Sequence, residues 1–497
     1  MSGHFSFPAK WRYNQGLNDR NCLWKVSATM KVLKNWNLPD LKEAGKRTRG
    51  AVERVDSFMI PASAVNMGEG KTYWLSTYGC QANERDSETL AGILETLGYQ
   101  PAQGPENADV ILVNTCAIRE NAMDKVLGEL GSFKRIYSQR PDVIIGVAGC
   151  MAQEDEFVKR VLAHYPWVRL LFGTHNIQDL PSLLVETMDT EDRVVHIYSR
   201  QGEVYENLPV RRFGKHKAWV NIMYGCDKFC TYCIVPYTRG KQRSRTMEDI
   251  LKEIRELKEA GYREVTLLGQ NVNAYGKDLD QDLTFASLLE ETARTGIDRI
   301  RFMTSHPWDF TQEMIDVIAR YDNIMPYIHL PLQSGDTDVL RRMGRRYTAE
   351  EYKALYDSIT ARIPGVAVST DIIVGFPDES DEAFAHTLEM VKACRFDSAF
   401  TFIYSPRPGT PAARMEDPVS PQVKKDRLQQ LNQVWNEYAL EKMKAYEGKT
   451  VQVLVDGPSK RNPAVLSGYT ETNKLVNFTG DGVKAGDIVP VFIETAK

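Results

Sequence analysis

From about residue 72 to residue 442 the chain alternates short apolar β-type runs with helical apolar periodicity. That alternation restricts the fold more than any other feature, because strands alternating with helices predict parallel sheets covered by helices. In the first tract, residues 73–77, 109–114 and 143–148 read as strands, with helical patterns near 86–97 and 120–137. In the second tract, candidate strands are 219–224, 264–268, 300–303, 327–330, 369–374 and 400–404, separated by helical patterns such as 247–260, 349–363 and 381–393. Six such units predict an open, partial version of a TIM-type barrel, with function at the carboxyl ends of its strands. A polar helix over 420–446 follows, and then short β-type runs at 451–455, 474–478 and 488–494 with regular turn signals, which predict a small all-β barrel. Residues 1–70 show no such order. Trp11, Trp24 and Trp36 imply some packing, but Pro39, Gly45 and Gly50 interrupt any long element, so a partly helical extension is expected. The predicted organisation is an α/β protein with an extension (1–70), an N-terminal parallel α/β domain (71–188), a central partial (β/α)6 barrel (212–442) and a C-terminal β domain (445–497).

The cysteines fall on this frame in a telling way. Cys80, Cys116 and Cys150 each sit just past the carboxyl end of a predicted strand, one strand–helix unit apart. In open α/β sheets, ligands bind in the crevice outside those strand ends. The fold can therefore gather the three thiols at one sheet edge, and three equivalent placements are poorly explained by ordinary burial of three separate cysteines. A second trio, Cys226, Cys230 and Cys233, has C-x-x-x-C-x-x-C spacing in a loop after the first barrel strand. Iron–sulfur clusters are held by cysteine thiolates, usually four per cubane. Three ligands leave one iron open, which by general coordination logic suits catalysis better than a closed structural site. Cys22 and Cys394 match no ligand spacing and read as structural or incidental. Disulfides are the poorer explanation for the eight cysteines, because disulfide frameworks belong to small secreted chains and residues 1–11 lack the apolar core of a secretory signal. The longest apolar run, 143–152, is too short to span a membrane. A reducing cytoplasm is the expected compartment.

Net charge is −4, but its distribution matters more than its sum. Residues 1–70 hold 11 Lys/Arg against 6 Asp/Glu; residues 211–245 are strongly basic, and 341–346 form a third basic run. Two of the three runs lie in the segment of the cysteine loop and its barrel, which makes an anionic substrate there a reasonable expectation.

From residue 71 onward the sequence resembles the radical S-adenosylmethionine methylthiotransferases, which end in a TRAM barrel, and within them it is most similar to the tRNA-modifying, MiaB-type branch. The matching stretches are STYGCQAN (76–83), NTCAIR (114–119), GCMAQ (149–153), VPYTRG (235–240), LLGQNVNAYG (267–276) and HLPLQSG (329–335), together with the 226/230/233 loop. The resemblance implies that Cys226, Cys230 and Cys233 hold a radical-generating [4Fe-4S] cluster whose open iron chelates S-adenosylmethionine. It implies that Cys80, Cys116 and Cys150 hold an auxiliary [4Fe-4S] cluster carrying the sulfur. The implied reaction is methylthiolation of N6-isopentenyladenosine, on the 3′ side of the tRNA anticodon, to its 2-methylthio derivative. One S-adenosylmethionine gives the methyl group and a second is cleaved to a 5′-deoxyadenosyl radical. An electron donor of the flavodoxin or ferredoxin type and a monomer are expected.

Radical chemistry suits the target, because the adenine C2–H bond is unactivated and the protein's part is orientation and exclusion of side reactions. Bases in single-stranded loops can be splayed out onto aromatic or Arg side chains; Tyr237, Arg239 and Tyr275 are candidates for such contacts. Tyr232, Gln270 and Asn271 are the expected S-adenosylmethionine contacts. His306 reads as a capping or packing residue. Tyr469 stands where the family leads one to expect an arginine, which points to a weakened RNA contact. Rival readings are a sister enzyme acting on threonylcarbamoyl-adenosine or on a ribosomal-protein aspartate, and a zinc-bearing RNA-binding protein. Against zinc, neither trio supplies the four protein ligands of a structural site.

Overall fold

The computed structural model describes residues 32–36, 54–55, 58–117, 120–198, 203–279 and 282–497. Cys22, Trp11 and Trp24 lie outside the described residues, as do Ile118 and Arg119 of the second motif.

The first β/α tract forms a seven-stranded sheet in which every pairing is parallel. Its spatial order is Val32–Trp36, Arg193–Ile197, Val168–Phe172, Ile144–Gly149, Val110–Thr115, Thr72–Thr77 and Gln100–Pro101. The two central strands, Val110–Thr115 and Ile144–Gly149, are buried at every position. Covered on both faces, they carry continuous apolar runs rather than alternation. The sheet is wider than its three sequence-predicted strands. It runs on past residue 188, and Val32–Trp36 pairs with Arg193–Ile197 in register over five residues. Part of the N-terminal extension is thus an edge strand of this sheet.

The second tract supplies six parallel strands: Lys217–Asn221, Glu264–Leu268, Arg299–Phe302, Tyr327–His329, Ala367–Val374 and Ser398–Ile403. They run in chain order as two hydrogen-bonded groups of three, bridged where Ile300 pairs with Ile324. One continuous apolar core lies between these strands and helices such as Met247–Glu259, Phe285–Arg294, Gln312–Arg320 and Ala349–Arg362. The helix starts are chemically fixed. Thr246, Thr284, Thr311, Thr348 and Ser380 each accept a hydrogen bond from a first-turn amide with the side-chain oxygen, an arrangement that contributes about 1 kcal/mol per cap. Cys394 ends helix Asp381–Cys394 in the core, as a structural residue.

Helix Pro421–Lys444 packs on strand Ser398–Ile403 and leads to a four-stranded antiparallel sheet. One of its strands, Leu466–Thr470, gave no clear strand signal in the sequence. This C-terminal sheet is anchored at the amino ends of the barrel strands, away from the cysteine loop. Arg299 donates to the carbonyls of Tyr469 (2.9 Å) and Gln452 (3.0 Å), and Arg301 to those of Glu471 (2.9 Å) and Thr470 (2.8 Å). Arg301 is also paired with Glu264 at 2.9 Å, both side chains being buried. Tyr469 is half-buried under the Lys217 ammonium, 4.8 Å from the ring centroid. It therefore packs against the barrel. Arg301→Met should cost about 3 kcal/mol, because Glu264 is left as an unpaired buried charge. Adding Glu264→Gln should recover part of that loss in chemical denaturation, and no recovery would mean that the carbonyl contacts alone hold the interface.

Candidate functional site

Each cysteine trio is built from strand ends and tight backbone. Gly79 has φ 142°, and a Cβ there would lie 2.6 Å from the Cys116 Cβ, so only glycine lets the Cys80 and Cys116 segments approach. The Cys80 thiol donates to Asn83 Oδ1 at 3.6 Å, and the Cys150 thiol reaches the same oxygen at 4.0 Å. Cys116 hydrogen-bonds to Cys80, which, together with the Arg239 guanidinium, brings the Cys80 thiol down to about 5. Burial pushes Cys150 the other way, up to about 11. The structure thus brings together the three cysteines placed one β/α unit apart in the chain.

The second trio sits in the loop after strand Lys217–Asn221. Gly225 (φ 70°) must be glycine, since a Cβ would fall 2.0 Å from the Lys241 carbonyl oxygen. The Cys226 amide donates to the Gly240 carbonyl, and the Cys233 amide to that of Cys230. Burial and the mutual repulsion of neighbouring sulfurs raise Cys226, and burial followed by Cys230 raises Cys233 to about 12. These thiols need a compensating positive centre to ionise. Arg345, buried, donates to Cys230 Sγ at 3.5 Å. Among the described residues no three His, Cys, Asp or Glu side chains converge as one metal ion requires. Three thiols per set match the donors of a cubane with one open iron, whereas structural zinc takes four protein ligands.

The two trios are neighbours through one short stretch. Directly after Cys233 the chain makes the helical turn Val235–Thr238, and Ile234 and Tyr237 pack on Ala117 and Cys150. Arg239 then enters the first domain. It donates to Asp86 at 2.7 Å and to Asn83 Oδ1 at 3.3 Å, and its charge acts on Cys80 and Cys150. Glu253 repeats this joining of domains. Arg245 (2.5 Å), Arg85 (3.5 Å) and Arg212 surround it, Arg85 coming from helix Gln81–Thr96 of the first domain. Burial opposes ionisation of Glu253, but Arg245, Arg85 and Arg212 overcome it and bring its pKa down to about 2.

At the carboxyl ends of the barrel strands several buried side-chain oxygens have no protein partner: Gln270 Oε1, Asn271 Oδ1, Ser305 Oγ and Gln333 Oε1. Buried polar atoms are almost always satisfied, so this group marks a polar ligand's seat. Of the expected S-adenosylmethionine contacts, Gln270 and Asn271 lie there. Asn271 is also tied to Asp309 (2.7 Å), which receives Lys228 of the cysteine loop and Lys277, each at 2.6 Å. Tyr232 packs beside Val339, Met343 and Phe376, next to Arg345. His306 caps a short turn, accepting from the Trp308 amide, and burial with nearby Arg345 lowers its pKa to about 2. It is a neutral packing residue, as its place in the chain suggests.

Other expectations need correction. Tyr237, Arg239 and Tyr275 are at most 6% exposed, and the Tyr275 hydroxyl donates to the Arg245 carbonyl. They are interior groups and do not contact RNA in this arrangement. The basic run 211–245 is largely spent on acids within the protein: Arg211 on Glu95, Arg212 on Glu88, Arg239 on Asp86 and Arg245 on Glu206. Its paired arginines join two domains. Asn83, Asp86, Glu253 and Arg345 were not singled out from sequence as site residues; Asn83 lies in the motif around Cys80, and Arg345 in a basic run from which an anionic substrate is expected.

Residues 220–391 match the radical SAM superfamily, 72–173 the uncharacterized protein family UPF0004, and 444–497 the TRAM domain. A tRNA-2-methylthio-N(6)-dimethylallyladenosine synthase of Geobacillus kaustophilus is 56% identical over 460 residues, which are 92% of this chain and 87% of the relative. The synthase of the same name from Bacillus subtilis is 54% identical over 461 residues, covering 92% and 90%. Among solved structures, the radical S-adenosylmethionine methyltransferase TsrM from Kitasatospora setae, with cobalamin and a [4Fe-4S] cluster bound, superposes with a TM-score of 0.51 at 14% identity, over 69% of this chain and 77% of that one. That likeness concerns the fold alone.

The Glu253 cluster gives a test of what keeps the trios together. Because the folded-state pKa lies below the ordinary 4.5, the stability it contributes is full above that value and is lost as pH falls from about 4.5 toward 2. Glu253→Gln should cost about 3 kcal/mol at neutral pH by leaving three arginines uncompensated, and should flatten the acid limb of denaturation curves. An unchanged acid limb would show that the domains are held elsewhere.

Proposed function

The chain belongs to the tRNA-2-methylthio-N6-dimethylallyladenosine synthases, and from that premise we propose how its residues divide the work. It is a radical S-adenosylmethionine enzyme that methylthiolates N6-isopentenyladenosine in tRNA, with S-adenosylmethionine and [4Fe-4S] clusters as cofactors. In our reading the six parallel strands form an open (β/α)6 barrel, and the C-terminal sheet is a small TRAM barrel closing its amino end.

Cys226, Cys230 and Cys233 hold the cluster at the barrel mouth, and Cys80, Cys116 and Cys150 hold the auxiliary one. When bound, the clusters supply the electron for reductive cleavage of S-adenosylmethionine and the sulfur to be inserted at C2. The chain's own residues do the rest. Arg345 and Arg239 each offset thiolate charge in one trio. Gln270 and Asn271 face the seat of S-adenosylmethionine with unsatisfied oxygens, and Tyr232 walls the pocket beside Cys230. The observation that carries this reading is the placement of two complete cysteine trios on either side of the stretch 233–239. Two molecules of S-adenosylmethionine per turnover, a target on the 3′ side of the anticodon, a flavodoxin- or ferredoxin-type donor, a monomeric state and a cytoplasmic setting complete the proposal. Among the described residues no helix is long and apolar enough to cross a membrane.

Replacing Cys80, Cys116 and Cys150 together by Ala should halve cluster iron in anaerobically reconstituted protein. It should abolish methylthiolation while sparing part of the S-adenosylmethionine cleavage. Loss of cleavage in a folded variant that keeps the other cluster would refute the division of roles. For the activity, nucleosides of tRNA from a strain lacking the gene should retain the isopentenyl group and lose the methylthio group.

A further inference from the structure

Phe400 and Phe402 are 52% and 51% exposed, although both lie in strand Ser398–Ile403 of an otherwise closely packed barrel. They share one face of that strand. The opposite face is covered by helix Pro421–Lys444: Ala399 is buried, and Thr401 donates to Asn432 Oδ1 at 2.6 Å. The phenylalanines therefore face the interior of the six-strand array, on its last strand, which is paired on one side only, with Ala367–Val374. Phe400 lies beside Asp371 and Phe402 beside Ile373 in the parallel register. The Phe400 ring meets His329 edge to face, with centroids 6.0 Å apart. His329 is itself fixed between Ser369 Oγ (2.9 Å) and the Asp371 carboxylate (3.4 Å).

Two half-exposed aromatics on an inward face form an apolar surface that the described residues leave accessible, Phe400 opening on a cavity whose far wall is the C-terminal sheet at Leu475, Val476 and Phe478. The substrate adenosine carries one apolar group, the branched five-carbon chain on N6. That group leaves the purine in a different direction from the C2–H bond, so its pocket must be separate from the clusters. The cysteine loop follows the first strand of the array, and the phenylalanines stand on the last. We propose that Phe400 and Phe402 form the pocket for the dimethylallyl group, with Ile373 beside them, and that Asp371 next to Phe400 repels substrates whose N6 substituent bears a carboxylate. The proposal rests on the activity above and names the residues that set its specificity. Burial of apolar carbons supplies the attraction, and an unmatched like charge supplies the rejection.

The test uses the reconstituted holoenzyme and three anticodon stem–loops, bearing adenosine, N6-dimethylallyladenosine or N6-threonylcarbamoyladenosine at the target position. The wild-type protein should bind the dimethylallyl RNA about tenfold more tightly than the unmodified one, a modest share of what burying five carbons can yield. Phe400→Ala with Phe402→Ala should reduce that preference to about twofold, whereas Phe400→Leu with Phe402→Leu should keep most of it. Asp371→Asn should improve binding of the threonylcarbamoyl RNA relative to the dimethylallyl one. A wild-type enzyme that methylthiolates the dimethylallyl RNA but shows no preference overturns the inference, as does a double-alanine variant whose preference is unchanged. A wild-type enzyme with no methylthiolation of any of the three would count against the activity itself.

Discussion

The ion pair between Arg239 and Asp86 is the contact on which the arrangement turns. It is 2.7 Å long, with both side chains at most 7% exposed, and its partners come from different domains. A buried pair of this kind adds little net stability over an apolar substitute, yet removing one partner costs about 3–5 kcal/mol. Its value is therefore in specifying one mutual placement of the domains. Arg239 lies six residues after Cys233, so the same short turn that closes the radical-side loop also seats the first domain. The Glu253 cluster, with arginines from both sides of the boundary, fixes the same interface a second time.

Charge also explains why each trio has its own arginine. Burial holds Cys150, Cys226 and Cys233 toward the neutral thiol, whereas cluster ligation requires thiolates. Arg239 acts on Cys80 and Cys150, and Arg345 donates to Cys230. Neither arginine belongs to its trio's own strand-end loop. Each donor set meets its arginine only when the chain has folded around it.

Much of this was legible in the sequence, for physical reasons. Short apolar runs and period-3.6 patterning identified the buried strands and several helices of both tracts, and cysteines at strand ends mark a common edge whatever the details of packing. Legibility failed where tertiary contacts overrule local signals. The five residues Val32–Trp36 form a strand only because Arg193–Ile197 offers them an edge. Leu466–Thr470 contains a glycine and polar residues, and its pairing on both sides defines it. Charge was misread in the same way: a run of arginines looks alike in the chain whether it meets water, RNA or the acids of a neighbouring helix. Phe400 and Phe402 were read simply as part of a strand, since sequence cannot say that their face goes uncovered.

The remaining asymmetry lies along the barrel axis. At the amino ends of the strands every observed contact is a satisfied one: Arg299 and Arg301 donate to backbone carbonyls of the C-terminal sheet, and Lys474 and Lys442 reach Asp397. At the carboxyl ends the backbone is strained and polar atoms are left unmet. Phe229, Thr304 and Gln333 adopt positive φ, of 47°, 69° and 70°, although none is glycine. Such residues cost on the order of 1–3 kcal/mol each and persist where the surroundings over-determine them. With the unsatisfied oxygens of Gln270, Asn271, Ser305 and Gln333 at the same end, the carboxyl rim holds a geometry that folding by itself does not favour. The C-terminal sheet stabilises the barrel from the far end, and so the rim can stay strained and open toward its ligands.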